Sequence, residues 1–157
     1  MLLLDRMIDA RAQAIVPAPP AEVFAAATDL DHADWLPAVR GLRRLPGPEA
    51  GVGARYSVEV GIVGRHLQGV LVCREVAPPT RAVFALEDGM ELSITIAVAP
   101  VPGGSSLELV ARYSVGGGPL GGVAERASAP AARREVGRAV EQLAARFGRK
   151  KPVHPPV

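Results

Sequence analysis

Residues 136–147 read V-G-R-A-V-E-Q-L-A-A-R-F, and this stretch decides the fold. Its apolar side chains recur at steps of three and four residues, the period of one face of an α-helix. They are Val136, Ala139, Val140, Leu143 and Phe147. Arg138 and Glu141 fall on the opposite face. The pattern predicts the second half of a long amphipathic helix over Leu120–Phe147, ended by Gly148.

The chain before this helix alternates between apolar and polar residues, as a strand with one buried face does. We predict seven strands, over residues 9–16, 42–45, 54–63, 65–76, 81–87, 90–99 and 107–115. Two short helices, 22–30 and 32–36, are predicted between the first two strands, and Asp31 is expected to cap the second. Pro130 removes one hydrogen bond from the long helix and favours a kink there.

The order of these segments predicts an α+β protein. Strands joined by short connections favour an antiparallel meander, and one face of such a sheet needs a cover. Only the helix containing 136–147 has a long apolar stripe, so we expect it to lie across a curved antiparallel sheet of about seven strands. Aromatic residues make up 4% of the chain, so small aliphatic side chains fill the interior. The sequence therefore predicts an apolar cavity between sheet and helix, where small ligands bind.

The chain has 157 residues and a formal net charge of +2, and it is long enough for one domain with a sizeable core. We expect an N-terminal extension over 1–8, a single ligand-binding domain over 9–148 and a disordered basic tail over 149–157. The three basic residues of that tail contribute +3, so the other residues sum to −1. A body of that charge lacks the basic surface of a nucleic-acid-binding protein.

Cys73 is the single cysteine, which excludes a disulfide framework and a zinc site built from several cysteines. A free thiol is typical of the cytoplasm, where we expect the protein. No apolar run approaches the roughly 20 residues that span a bilayer, so we expect no membrane insertion. The three histidines are far apart in sequence, and neither a metal nor another cofactor is predicted. The sequence does not distinguish a monomer from a homodimer.

Four stretches resemble those of a known superfamily. They are P-P-A-E-V-F at 19–24, W-L-P-A-V at 35–39, E-V-A-P-P-T-R at 75–81 and the last predicted hairpin at 104–113. Over roughly residues 9–147 the chain resembles the START-like superfamily, also called SRPBCC. Its members include the birch pollen allergen, lipid-transfer START domains and bacterial polyketide cyclases. The resemblance implies the helix-grip fold, and its motifs mark a scaffold rather than a reaction.

The predicted function is the binding of an apolar or polyaromatic small molecule, lipid-like or polyketide-like, in the cavity. The expected ligand-binding residues lie on the apolar faces of the predicted elements. They are Trp35, Tyr56, Val58, Val60, Leu67, Leu71, Phe84, Ile94, Leu109, Tyr113, Val136 and Val140. One or two tyrosine hydroxyls would set the orientation of the ligand. Trp35 has two interpretations, a gate of the pocket or a plug that packs the short helices onto the sheet.

Two other functions stay open. The resemblance permits a cyclase/dehydratase enzyme, with Tyr113 or Tyr56 as proton donor and His66 as base. This function ranks second because few ionisable residues fall on the predicted inner face. The other alternative is a module that grips a partner protein or a membrane quinone, which an exposed apolar groove would favour.

The direction in which several polar side chains face distinguishes these alternatives. His66, Gln68 and Arg74 share the more polar phase of their strand and are expected on the solvent side. The direction of Arg81 stays open, because its strand is apolar on both faces; an inward Arg81 would bind a ligand carboxylate. Cys73 is expected to be a small buried residue. Residues 116–118, G-G-G, are expected to act as a flexible hinge.

Overall fold

The structure is a computed structural model that describes residues 7–36, 39–48, 51–62, 65–88, 91–114 and 121–149. The side chains of residues 62, 65–67, 121–128 and 149 lie outside this description. The elements are, in chain order, β1 Ile8–Val16, α1 Pro20–Thr28, a 3₁₀ turn Leu30–His32, β2 Val39–Arg44, β3 Arg55–Ile62, β4 Arg65–Ala77, β5 Arg81–Leu86, β6 Glu91–Val101, β7 Gly104–Ser114 and α2 Gly121–Arg149.

The strands form one antiparallel sheet in the order β1-β7-β6-β5-β4-β3-β2. Strands β2 to β7 pair with their neighbours in the chain, as the hairpin pattern predicts, whereas β1 pairs with the last strand, Ile8 opposite Tyr113. The sheet curves around α2, which lies nearest to β1 and β7. The predicted α+β class and helix-grip fold are confirmed.

Helix α1 begins where the local chemistry favours a helix. Pro20 occupies the first turn, where its missing N–H costs no hydrogen bond. Glu22 adds a carboxylate near the positive end of the helix dipole. The buried face of α1 consists of Val23, Phe24 and Ala27, and it packs against β6 and β7.

The second short helix differs from the prediction of a helix over 32–36 capped by Asp31. The structure has a 3₁₀ turn over Leu30–His32, and its cap is Asp29, whose Oδ1 accepts a hydrogen bond from the Asp31 N–H at 3.2 Å. The prediction was wrong because both aspartates suit a cap. A turn of three residues is also too short for apolar periodicity to decide between them.

Helix α2 continues through Pro130 and ends at Arg149, one residue beyond the predicted stop at Gly148. Its buried stripe follows the predicted period of three and four residues and contains Ala132, Val136, Ala139, Val140 and Leu143. The predicted hinge at 116–118 lies outside the described residues, as do 1–6 and 150–157. The stripe places one continuous apolar surface over the concave face of the sheet.

Candidate ligand-binding cavity

A cavity of about 140 Å³ lies between the concave face of the sheet and α2, and it is partly open to solvent. Every described element except β1 contributes to its wall, which is mostly apolar. The lining residues are Ala27, Leu30, Trp35, Leu36, Val39, Leu42, Val58, Val60, Leu71, Phe84, Leu86, Leu92, Ile94, Ile96, Leu109, Ala111, Tyr113, Ala132, Glu135, Val136 and Ala139.

Strand alternation positions most of this wall. Leu92 and Ile94 on β6 line the cavity, and so do their cross-strand partners on β7, Tyr113 and Ala111. Because side chains alternate between the two faces of a strand, every second residue of each central strand reaches the same concave face. The wall is therefore a direct product of the apolar phases in the sequence.

Nine of the twelve residues expected from the sequence line the cavity. They are Trp35, Val58, Val60, Leu71, Phe84, Ile94, Leu109, Tyr113 and Val136. Trp35 is 2% exposed and forms part of the inner wall. Its ring therefore lies inside the domain rather than across an open mouth.

Tyr56 and Val140 are buried but do not line the cavity. Tyr56 lies near the start of β3, where it pairs with Arg44 on β2. Burial raises the pKa of its phenol, and the nearby Arg44 guanidinium partly opposes that rise. Val140 lies one helical turn beyond Val136 and packs in the hydrophobic core. Both positions correct the expected lining.

Two further expectations fall on side chains outside the described set, those of Leu67 and His66. Gln68, which follows them on the same strand, is exposed, and so is Arg74, as expected. The described cavity wall therefore contains no polar side chain from β4.

Arg81 and Cys73 have no part in the cavity. Arg81 is exposed, and its Nε lies 3.3 Å from Glu75 Oε2. It therefore does not point into the cavity, where it could have bound a ligand carboxylate. Cys73 is 3% exposed in the core, and burial raises the pKa of its thiol. A thiol in such surroundings is inert.

Two polar atoms in the cavity-lining side chains lack hydrogen-bond partners. Within the described part of the chain, the buried side-chain atoms without a partner are Trp35 Nε1 and Glu135 Oε1. The other carboxylate oxygen of Glu135 lies 3.5 Å from Arg138 Nη1, and the Glu135 side chain is 32% exposed. An unsatisfied buried polar group costs about 1–3 kcal/mol. Neither atom contributes to the accessible surface of the cavity, which is entirely apolar.

Sequence reasoning overlooked Glu135, although a signal was present. Ala132, Glu135, Val136 and Ala139 stand at steps of three and four residues, so the glutamate lies on the same helix face as the apolar stripe. A charged residue is usually taken to face solvent. Its helical phase, rather than its chemistry, would have placed it beside the cavity.

The described residues contain no group of three or more His, Cys, Asp or Glu side chains arranged to hold a metal ion. In the same part of the chain, no helix combines the length and apolar character needed to cross a membrane. The accessible surface of the cavity wall is apolar, although the residues that form it include a tryptophan, a tyrosine and a glutamate.

The family comparison agrees with this geometry. Residues 7–148 match the family described as polyketide cyclase / dehydrase and lipid transport. The chain belongs to this family. No curated protein matches the sequence.

Solved structures share the fold at low sequence identity. The protein TTHA0849 from Thermus thermophilus is 20% identical, with a TM-score of 0.78 over 92% of this chain and 99% of its own. The Zhui aromatase/cyclase from Streptomyces sp. R1128 is 14% identical, with a TM-score of 0.75 over 92% and 95%. A START superfamily protein from Mycobacterium smegmatis is 15% identical, with a TM-score of 0.70 over 92% and 99%. These likenesses concern the fold.

Proposed function

We propose that the protein binds an apolar small molecule in the cavity between the sheet and α2. The observation that carries the proposal is the cavity of about 140 Å³ walled almost entirely by aliphatic and aromatic side chains. A wall of this kind offers burial of ligand surface, worth roughly 25 cal/mol per Å² of apolar area. The free thiol of Cys73 is in keeping with a protein of the cytoplasm.

The size of the cavity bears on the size of the ligand. An engineered apolar cavity of about 150 Å³ in another protein stays dry and binds benzene. A single substituted ring therefore matches the enclosed volume, and a lipid-like or polyaromatic ligand would extend through the open side. Phe84 and Trp35 in the wall offer ring faces to either kind of ligand.

A second candidate function is a cyclase/dehydratase activity. The observation that favours it is that Tyr113 and Glu135 line the same cavity. Closing a ring on a polyketone requires a proton acceptor near the reacting carbon and a donor at the enolate oxygen. A carboxylate and a phenol are groups of those two kinds. Simple binding remains the first proposal because the accessible surface of the wall is apolar.

Ethylbenzene is a suitable probe, and thermal unfolding measures its binding. At 100 times its Kd a ligand stabilises the folded state by about 2.7 kcal/mol, which raises Tm by several degrees in a chain of this size. Ala139 lines the cavity and is 2% exposed, so Ala139→Leu fills the space and is expected to abolish the rise in Tm. Ala145, half-buried on the same helix, does not line the cavity, and Ala145→Leu is the matched control.

An Ala139→Leu variant that folds and keeps the full ethylbenzene response would contradict the proposal. Native mass spectrometry of the protein from its own host then identifies the natural ligand. Recovery of one apolar compound that is unchanged on incubation supports binding alone. Conversion of a linear polyketone into a ring-closed product that has lost water would favour the cyclase instead.

A further inference from the structure

The surface that the cavity offers to a ligand is apolar throughout its described wall. Three residues of this wall carry polar side-chain groups, Trp35, Tyr113 and Glu135, but none of these groups contributes to the accessible surface. A molecule inside the cavity therefore meets aliphatic and aromatic carbon atoms and finds neither a donor nor an acceptor in the described wall.

Water does not replace the missing hydrogen-bond partners. A water molecule held inside a protein requires two to four polar partners, and the described wall of the cavity presents none. A hydroxyl or carbonyl group that enters the cavity thus gives up its hydrogen bonds to bulk water and gains none in return. An unmade hydrogen bond of this kind weakens binding by roughly ten- to a hundredfold.

The open side of the cavity gives a polar group another place. The cavity is partly open to solvent, so a polar group at one end of a ligand can remain in water while the rest of the molecule is buried. A polar group in the middle of a chain has no such position. Either it enters the cavity, or the carbons beyond it also stay in water, and each methylene left there lowers the affinity about fourfold.

We propose that the ligand is an amphiphile with an unsubstituted hydrocarbon end, such as an alkyl chain, and that this end alone occupies the cavity. Its oxygen-bearing groups remain at the open side. This inference rests on the proposed function, since it names the class of ligand for the same cavity. It favours a lipid-like ligand over a polyketide-like one, because a linear polyketone carries a carbonyl group at every second carbon.

Isothermal titration of the full chain with hexan-1-ol and hexan-3-ol tests the inference. The two isomers have the same atoms and the same functional group, and they differ only in the position of the hydroxyl. The wild-type protein is expected to bind hexan-1-ol about tenfold more tightly than hexan-3-ol. Ala139→Leu, which fills the cavity, is expected to weaken the binding of hexan-1-ol at least tenfold. Unchanged binding in this variant would place the alcohol elsewhere and would overturn the inference.

Variants that add a hydroxyl to the wall test the cause of this preference. Val58 and Ala111 line the cavity on β3 and β7 and are buried. Val58→Thr and Ala111→Ser each provide a donor and an acceptor with little change in volume, and we expect at least one of them to reduce the tenfold preference several-fold. Ala10, the cross-strand partner of Ala111, is buried but does not line the cavity. Ala10→Ser is the matched control and is expected to keep the preference.

The possible failures are distinguishable. Equal affinity of the wild-type protein for the two isomers, or an unchanged preference in both wall variants while hexan-1-ol still binds, overturns the inference and leaves the binding function standing. Binding of ethylbenzene without binding of hexan-1-ol does the same, because a terminal hydroxyl would then find no place at the open side. Binding of none of the three probes to the wild-type protein overturns the proposed function and the inference with it.

Discussion

Ser105 ties two distant segments together through a single hydroxyl. The residue is completely buried, and its Oγ donates a hydrogen bond to the Ala18 carbonyl oxygen at 2.7 Å. This contact holds the link between β1 and α1 against the start of β7. A buried carbonyl left without its donor costs about 1–3 kcal/mol, so Ser105→Ala is expected to lower the free energy of unfolding by that amount in urea titrations.

The control for this prediction is the adjacent serine of the same strand. Ser106 lies on the opposite face of β7 and is only partly buried, so Ser106→Ala is expected to change the stability by less than about 0.5 kcal/mol. Equal losses from the two substitutions would mean that the hydroxyl of Ser105 contributes nothing specific.

Single residues also show where sequence reasoning succeeds and fails. Strand phase placed Val58 and Ile94 on the face that forms the cavity wall, because side chains alternate between the two faces of a strand. The alternation shows which face a residue occupies, but not how far along the strand the cavity extends. Tyr56 was therefore expected in the cavity, whereas it lies near the start of β3, opposite Arg44. Glu135 was not predicted at the cavity, although its helical phase is that of the apolar stripe.

Among the elements, α2 contains a matched pair of valines with different surroundings. Val136 borders the cavity, whereas Val140, one turn later, is packed in the core without touching the cavity. A side chain next to a void has fewer atoms in contact on that side. Each methyl group buried in a packed site contributes about 0.8 kcal/mol to the free energy of unfolding. Val140→Ala is therefore expected to lower the free energy of unfolding by about 2 kcal/mol, and Val136→Ala by about 1 kcal/mol.

Urea unfolding of both variants at neutral pH measures this difference. The helix propensity changes equally in the two substitutions, so it cancels in the comparison. A larger loss at Val136 than at Val140 would show that the cavity is collapsed or filled in solution. That outcome would also weaken the proposed binding site.

Element length decided which elements the sequence could predict. The stripe over residues 132–143 extends for three turns, enough for periodicity to identify both the helix and its buried face. The 3₁₀ turn at Leu30–His32 is shorter than one helical period, so capping chemistry alone had to place it. Two candidate caps in three residues left that placement ambiguous.

For the whole molecule, topology was predictable and ligand identity was not. Consecutive strands with short connections and a single amphipathic helix permit few arrangements, and the observed order β1-β7-β6-β5-β4-β3-β2 is one of them. Apolar burial is non-directional, so a wall of aliphatic side chains fixes neither the shape nor the identity of its ligand.

The stability of the whole domain is expected to fall in alkaline solution. Burial raises the pKa of Tyr56 above 10.0 and that of Cys73 above 9.0, the ordinary values. Both groups are neutral when protonated, so the folded state holds these protons more tightly than the unfolded chain does. Below about pH 8 both groups are protonated in both states and add almost no pH dependence. Above the ordinary pKa of each group, the unfolded chain loses a proton that the folded state keeps, and the free energy of unfolding decreases.

Tyr56→Phe isolates the phenol, because it keeps the buried ring and removes the ionisable group. Urea unfolding of the wild-type protein and the variant between pH 8 and pH 11 is expected to give a constant difference in stability up to about pH 9.5. Above pH 10 the wild-type protein loses stability faster, by at most about 1.4 kcal/mol per pH unit for one proton, until the pH reaches the raised pKa. Parallel curves over the whole range would mean that the phenol ionises equally in the folded and unfolded states, and would contradict the rise in pKa that burial produces.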